Sequence, residues 1–139
     1  MQTDLWTIWR PSLSIHRKYD VFQSVEDPDG LRILLSSTED TSKITVQFPG
    51  SVYAYRSTEE LAALETINQI EAKERERTYL ASDWTFFVVK NSSYAKQVER
   101  ASQGIYPADT LIHVALVTGT HLMEVLTSLM PQIVSGWNE

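Results

Sequence analysis

The sequence predicts one α+β domain over residues 1–139, an antiparallel β-sheet with two main helices packed on it. Three observations predict it. Residues 43–48, KITVQF, alternate apolar and polar side chains with a period of two, the mark of a half-solvated antiparallel strand. Residues 57–77, STEELAALETINQIEAKERER, are dense in helix-forming residues. Residues 83–90, DWTFFVVK, are β-prone and apolar on both faces, which places them centrally in a sheet.

The elements follow in order. LWTIW (5–9) folds back onto the sheet. KYDVFQSV (18–25) and LRILLSS (31–37) flank EDPDG, whose Pro fixes φ and whose Gly permits positive φ, so the pair reads as a hairpin. TEDTS (38–42) is the next turn. In KITVQF, Ile44, Val46 and Phe48 fall on one face, with Lys43, Thr45 and Gln47 on the other. PGS then turns the chain into VYAYR (52–56), and four strands with short connections suggest a meander in one sheet. In a regular strand Tyr53 and Tyr55 share a face. They are core if a helix covers that face and surface if nothing does.

A helix is expected from about residue 58. Ser57 and Glu60 have capping-box spacing, Thr58 is a rival cap, and Glu59 and Glu60 suit the positive helix start. Leu61, Leu64, Ile67 and Ile70 predict a broad buried stripe, and Glu71 with Arg75 an i,i+4 pair. NSSYAKQVERASQG (91–104) reads as a second helix, capped by Asn91 or Ser92 and ended by Gly104, with Tyr94, Val98 and Ala101 on one face. LIHVALVT (111–118) is a strand. For 120–129, Leu122, Val125, Leu126 and Leu129 have helical spacing, while TGT could turn the chain back as a hairpin through HLMEVLT; the hairpin is favoured.

Composition narrows the function. The formal net charge is −6, from 18 Asp and Glu against 12 Lys and Arg. That balance argues against nucleic acid, which needs clustered cations, and suits a basic partner. With no cysteine, disulfides and thiolate chemistry are excluded, in keeping with a cytoplasmic protein. No apolar run of about 18 residues predicts a membrane span, and the N-terminus lacks a signal-peptide pattern. No P-loop, GxGxxG, GxSxG or HExxH occurs.

The candidate site residues are Tyr53, Tyr55, Arg56, Glu59, His113 and Glu124. Tyr53 and Tyr55 with Arg56 and Glu59 could form an acid–base cluster, but strand propensity and helix capping already account for all four. A hairpin could bring His113, His121 and Glu124 towards a two-His, one-carboxylate metal site. Strand alternation instead sends His121 and Glu124, three apart, to opposite faces, so neither a metal nor another cofactor is expected. Nine of the ten Trp and Tyr residues (6, 9, 19, 53, 55, 84, 94, 106 and 137) exceed what one small core easily absorbs, which hints at an interface.

FPGSVYAYRSTEE (48–60), Trp84 with NSSY (91–94), SQGI (102–105), His113, EVL (124–126) and Pro131 together resemble a group of small uncharacterised bacterial proteins. Those proteins look like acidic cytosolic antitoxin partners of the immunity type. The resemblance covers residues 48–131 and departs at Val114, where the group has an aromatic. It implies a non-catalytic protein-binding protein that inhibits a basic toxin. Two other readings stand beside it: an enzyme or small-ligand binder using Arg56, Glu59, His113 and Glu124 in a sheet–helix cleft, and a homodimerising structural or regulatory subunit. A deep pocket lined by those four residues would favour the enzyme, and an open acidic face the binding protein.

Overall fold

The computed structural model describes residues 4–12, 14–74 and 84–137, with the backbone alone for 71–74. Sheet dominates it. Among the described residues there are nine strands: β1 (Leu5–Ile8), β2 (Tyr19–Asp27), β3 (Gly30–Ser37), β4 (Lys43–Phe48), β5 (Val52–Glu59), β6 (Phe86–Lys90), β7 (Ile112–Val117), β8 (His121–Thr127) and β9 (Gln132–Ser135). Two short helices join them, α1 (Leu64–Glu74) and α2 (Ser93–Ala101). The strands form two sheets, ordered β1-β6-β7-β8-β5 and β2-β3-β4-β9, and every pairing is antiparallel. The expected α+β architecture, one sheet carrying two main helices, is therefore corrected to a two-sheet fold in which the helices are minor.

The core explains the second sheet. Leu31, Ile33 and Leu35 of β3 and Ile44, Val46 and Phe48 of β4 meet Phe86, Val114, Leu116, Met123 and Val125 of the five-stranded sheet, with Tyr19 among them. Each strand buries alternate residues on this shared interior. Ile44, Val46 and Phe48 do share a face, but β4 pairs with β3 and β9, not with β5. Period two reports which face is buried and not which strand lies alongside. Pro49, without an N–H, cannot extend a ladder, so the chain leaves one sheet and enters the other. Ser51 is then fastened to the end of β8: its N–H donates to Ser128 Oγ at 2.9 Å and its carbonyl accepts from Ser128 N.

Both hairpins form, with close contacts at their glycines. Gly30 has φ +111° in the β2–β3 turn, a conformation that L side chains rarely adopt. In the β7–β8 turn Gly119 N–H donates to Asp20 Oδ1 at 3.1 Å, and a Cβ there would collide with that carboxylate. LWTIW does return to the sheet as β1, pairing with β6, so β6 lies inside the sheet between β1 and β7.

The helical expectations need more correction. Ser57 and Thr58 are strand, not caps, because β5 stays paired with β8 as far as Glu59 opposite His121. Tertiary pairing overrides local propensity here. A 3-10 turn at Leu61–Ala63 precedes α1, and Glu59 itself accepts from Leu61 N at 3.1 Å. Ala63, Ile67 and Ile70 pack with Trp6, Trp84, Phe87, Ala115, Val117 and Leu122 on the outer face of the five-stranded sheet. Leu61 and Leu64, expected in that stripe, are 72% and 45% exposed. The Glu71–Arg75 pair lies outside the described residues. In α2, Ser92 is the cap, accepting from Ala95 N at 3.0 Å. Gln103 and Gly104 take positive φ just past its end, and Ala101 is exposed while Tyr94 is buried. No helix among the described residues is long and apolar enough to cross a membrane.

Candidate functional site

A buried polar chain runs from the start of α2 to the outer edge of the sheet. Two registers position it: β5–β8 sets Arg56 opposite Glu124, and β7–β8 places His113 beside Leu126. Glu124, Leu126 and His113 then share the helix-side face. Ser92 Oγ lies 2.6 Å from His113 Nδ1. His113 Nε2 lies 2.9 Å from Glu124 Oε2. Arg56 grips the same carboxylate with Nε to Oε1 at 2.9 Å and Nη2 to Oε2 at 3.2 Å. Its guanidinium also stacks over the Tyr94 ring, 3.9 Å from the centroid, a cation–π contact. Tyr94 and Trp6 meet the imidazole edge-on.

One proton assignment satisfies every group. A carboxylate only accepts, so His113 Nε2–H donates to Glu124. Nδ1 then carries a lone pair that accepts a hydrogen bond from the Ser92 hydroxyl, while Ser92 Oγ accepts from Ala95 N–H. Burial by itself raises the pKa of Glu124, but hydrogen bonds from His113 and Arg56 outweigh it and the net shift is downward. A depressed folded value means that the unfolded chain takes up the proton more readily. The stabilisation is therefore complete above the ordinary carboxyl pKa of about 4.3 and is lost as pH falls through the folded value. Thermal melts should fall as pH drops below about 4.3, and Glu124→Gln should flatten that fall. Asp27 shifts the same way through Arg32, and Asp40 through Ser42 N–H, but both are surface groups.

Hydroxyl, imidazole and carboxylate in series also occur in acyl-transfer triads. Here the hydroxyl oxygen is a helix cap and Ser92 is only 7% exposed, while the carboxylate is committed to Arg56. What the chain does is hold a half-exposed guanidinium in one pose. Ser92 and Tyr94 were not legible as members. The one sequence signal was an Asn-Ser pair ahead of a helix, which also reads as ordinary capping.

The other candidates scatter. Glu59 is exposed at the end of β5, three residues from Arg56, and touches neither His113 nor Glu124. His121 pairs with Glu59 and its ring bonds Thr120 Oγ1, roughly 16 Å along β8 from the position opposite His113. Among the described residues no group of three or more His, Asp or Glu is placed to hold a metal ion. Tyr53 and Tyr55 do not share an environment, because a β-bulge between Val52 and Ala54 resets the alternation. Tyr53 packs beside Tyr94, Leu111 and Leu126 and lies 4.5 Å from the Tyr106 ring, whereas Tyr55 opposes Val125 at the exposed edge. Tyr53→Ala should cost about 2 kcal/mol in chemical denaturation and Tyr55→Ala under about 1.

The aromatic surplus is largely structural. Trp6, Tyr19, Trp84 and Tyr94 are buried, and Trp137 stacks on Phe22 at 4.2 Å and donates to Leu35 O. No family model matches the chain, and no curated protein or solved structure matches it either.

Proposed function

We propose that this is a non-catalytic protein-binding protein, an inhibitor of the immunity type, and that it meets its partner through the end of β5 and the turn that follows. One observation carries the reading. Leu61 and Leu64 stand exposed among exposed Glu59, Glu60 and Glu65, in a stretch with no Lys or Arg between Arg56 and Lys73. Three apart on a helical turn, the two leucines are neighbours and give one contiguous apolar patch, the kind of surface that marks an interaction site. An apolar centre with a carboxylate rim complements a basic face with an apolar middle, and the charge speeds encounter. Arg56, held by Glu124 and Tyr94, adds a rigid donor roughly 10 Å along the strand from Glu59.

Homodimerisation through this ridge is disfavoured, because a symmetric contact would set its carboxylates against each other. The enzyme reading needed one pocket lined by Arg56, Glu59, His113 and Glu124. The groove described below is lined by His113 and by none of the other three.

The test is genetic. The product of the neighbouring coding sequence, expressed alone, should arrest growth, and co-expression of this chain should restore it. A Glu60→Lys, Leu61→Arg variant that folds normally should lose the rescue. A harmless neighbour, or rescue that survives the variant, counts against the proposal.

A further inference from the structure

A groove of about 960 Å³ lies beside α2, away from the ridge. Its walls are the end of β6, one flank of α2 and the segment from Pro107 to His113. Its volume is in the range of small-molecule sites. Three cations line it, Lys90, Lys96 and Arg100, in a chain whose net charge is −6. Among the described residues neither Lys90 nor Arg100 takes part in an ion pair. Lys96 donates to Asn91 Oδ1 at 2.8 Å, so it contributes charge from a fixed position. Two carboxylates also line the groove. Glu99 accepts from Ala108 N at 2.9 Å and keeps its charge, and with Asp109 it leaves the lining one positive charge in excess. Pro107, Ile112 and the edge of Leu111 supply apolar wall, and Ser92, Ala95 and His113 close the buried end.

We infer that this groove binds a small organic anion, a carboxylate or phosphate monoester on a compact apolar body. The anion would sit among Lys90, Lys96 and Arg100, and the body against Pro107 and Ile112, which keep surface open to the groove. A local excess of cations on an acidic protein favours an anion over a cation, and the apolar wall favours a body over a bare ion. Ser92 and His113 have already spent their hydrogen bonds on each other and on their neighbours, so the site binds without reacting.

Amide NMR titration of the full chain tests this, with phenyl phosphate, phenylacetate and inorganic phosphate as separate probes. Phenyl phosphate or phenylacetate should give saturable shifts confined to residues 90–100 and 107–113, and whichever binds tighter identifies the head group. Inorganic phosphate should bind at least roughly tenfold more weakly than the better of the two. A Lys90→Gln, Arg100→Gln variant with an unchanged melting temperature should weaken binding by about tenfold or more. Absent or non-saturable shifts at millimolar probe, equal binding by inorganic phosphate, or equal affinity in the double variant would each overturn the inference.

Discussion

Phe86→Ala should be among the most damaging single substitutions, lowering stability by about 4 kcal/mol. Phe86 is fully buried at the junction of both sheets. Trp9, Tyr19 and Trp84 contact its ring edge-on, with centroids 5.7 to 6.5 Å away. Truncation removes the ring's transfer free energy and leaves a void between two rigid sheets that cannot both move in to fill it. Phe86 is also paired with Leu116 inside the five-stranded sheet, so local unfolding cannot relieve the cavity cheaply. In urea the midpoint should drop with the m-value unchanged, and the melting temperature should fall by roughly 10 °C or more. A loss under about 1 kcal/mol would mean that the sheets are not packed through this residue.

Glu124→Ala comes next, at about 3 kcal/mol. Removing one member of a buried pair leaves the other without its partner, and that desolvation cost exceeds what the pair itself contributes. His113 Nε2–H would lose its acceptor inside the protein, and Arg56 both of its anchoring bonds. The Arg56 side is half-exposed and can be rehydrated, so the larger share of the loss belongs to His113. Arg56→Ala should consequently cost less, about 1 to 2 kcal/mol. A double-mutant cycle through Ser92→Ala and Glu124→Ala should show coupling, since the His113 proton assignment depends on both neighbours. Strict additivity would show that the hydrogen bonds do not act as one chain.

Much of the strand content was legible because alternation is local. The β2–β3 turn announced itself through DPDG, and the β7–β8 turn through TGT. Partner choice was not legible. KITVQF buries the same face whether it lies beside VYAYR or beside QIVS, and the second is what happens. The start of α1 was misplaced because STEE has every local sign of a helix cap. Its strand state comes from β8, more than sixty residues away. The bulge that parts Tyr53 from Tyr55 likewise leaves no mark in VYAYR. For the site, Arg56, His113 and Glu124 are named together with Glu59 as a possible cleft, and only the register of three strands shows that the first three touch and Glu59 does not. Glu59 and His121 had the right chemistry in the wrong place.

The proposal that the β5 end is a partner-binding surface rests on exposed apolar area in an acidic setting. Its most direct test is the affinity of the purified neighbouring product for this chain, wild type beside Leu61→Arg, with both melting temperatures recorded. Leu61 is 72% exposed, so the substitution should leave the melting temperature unchanged. Binding should weaken by roughly tenfold or more, as expected when a cation replaces an apolar anchor facing a basic partner. Equal affinity for the two proteins would contradict the account and move the partner to another surface.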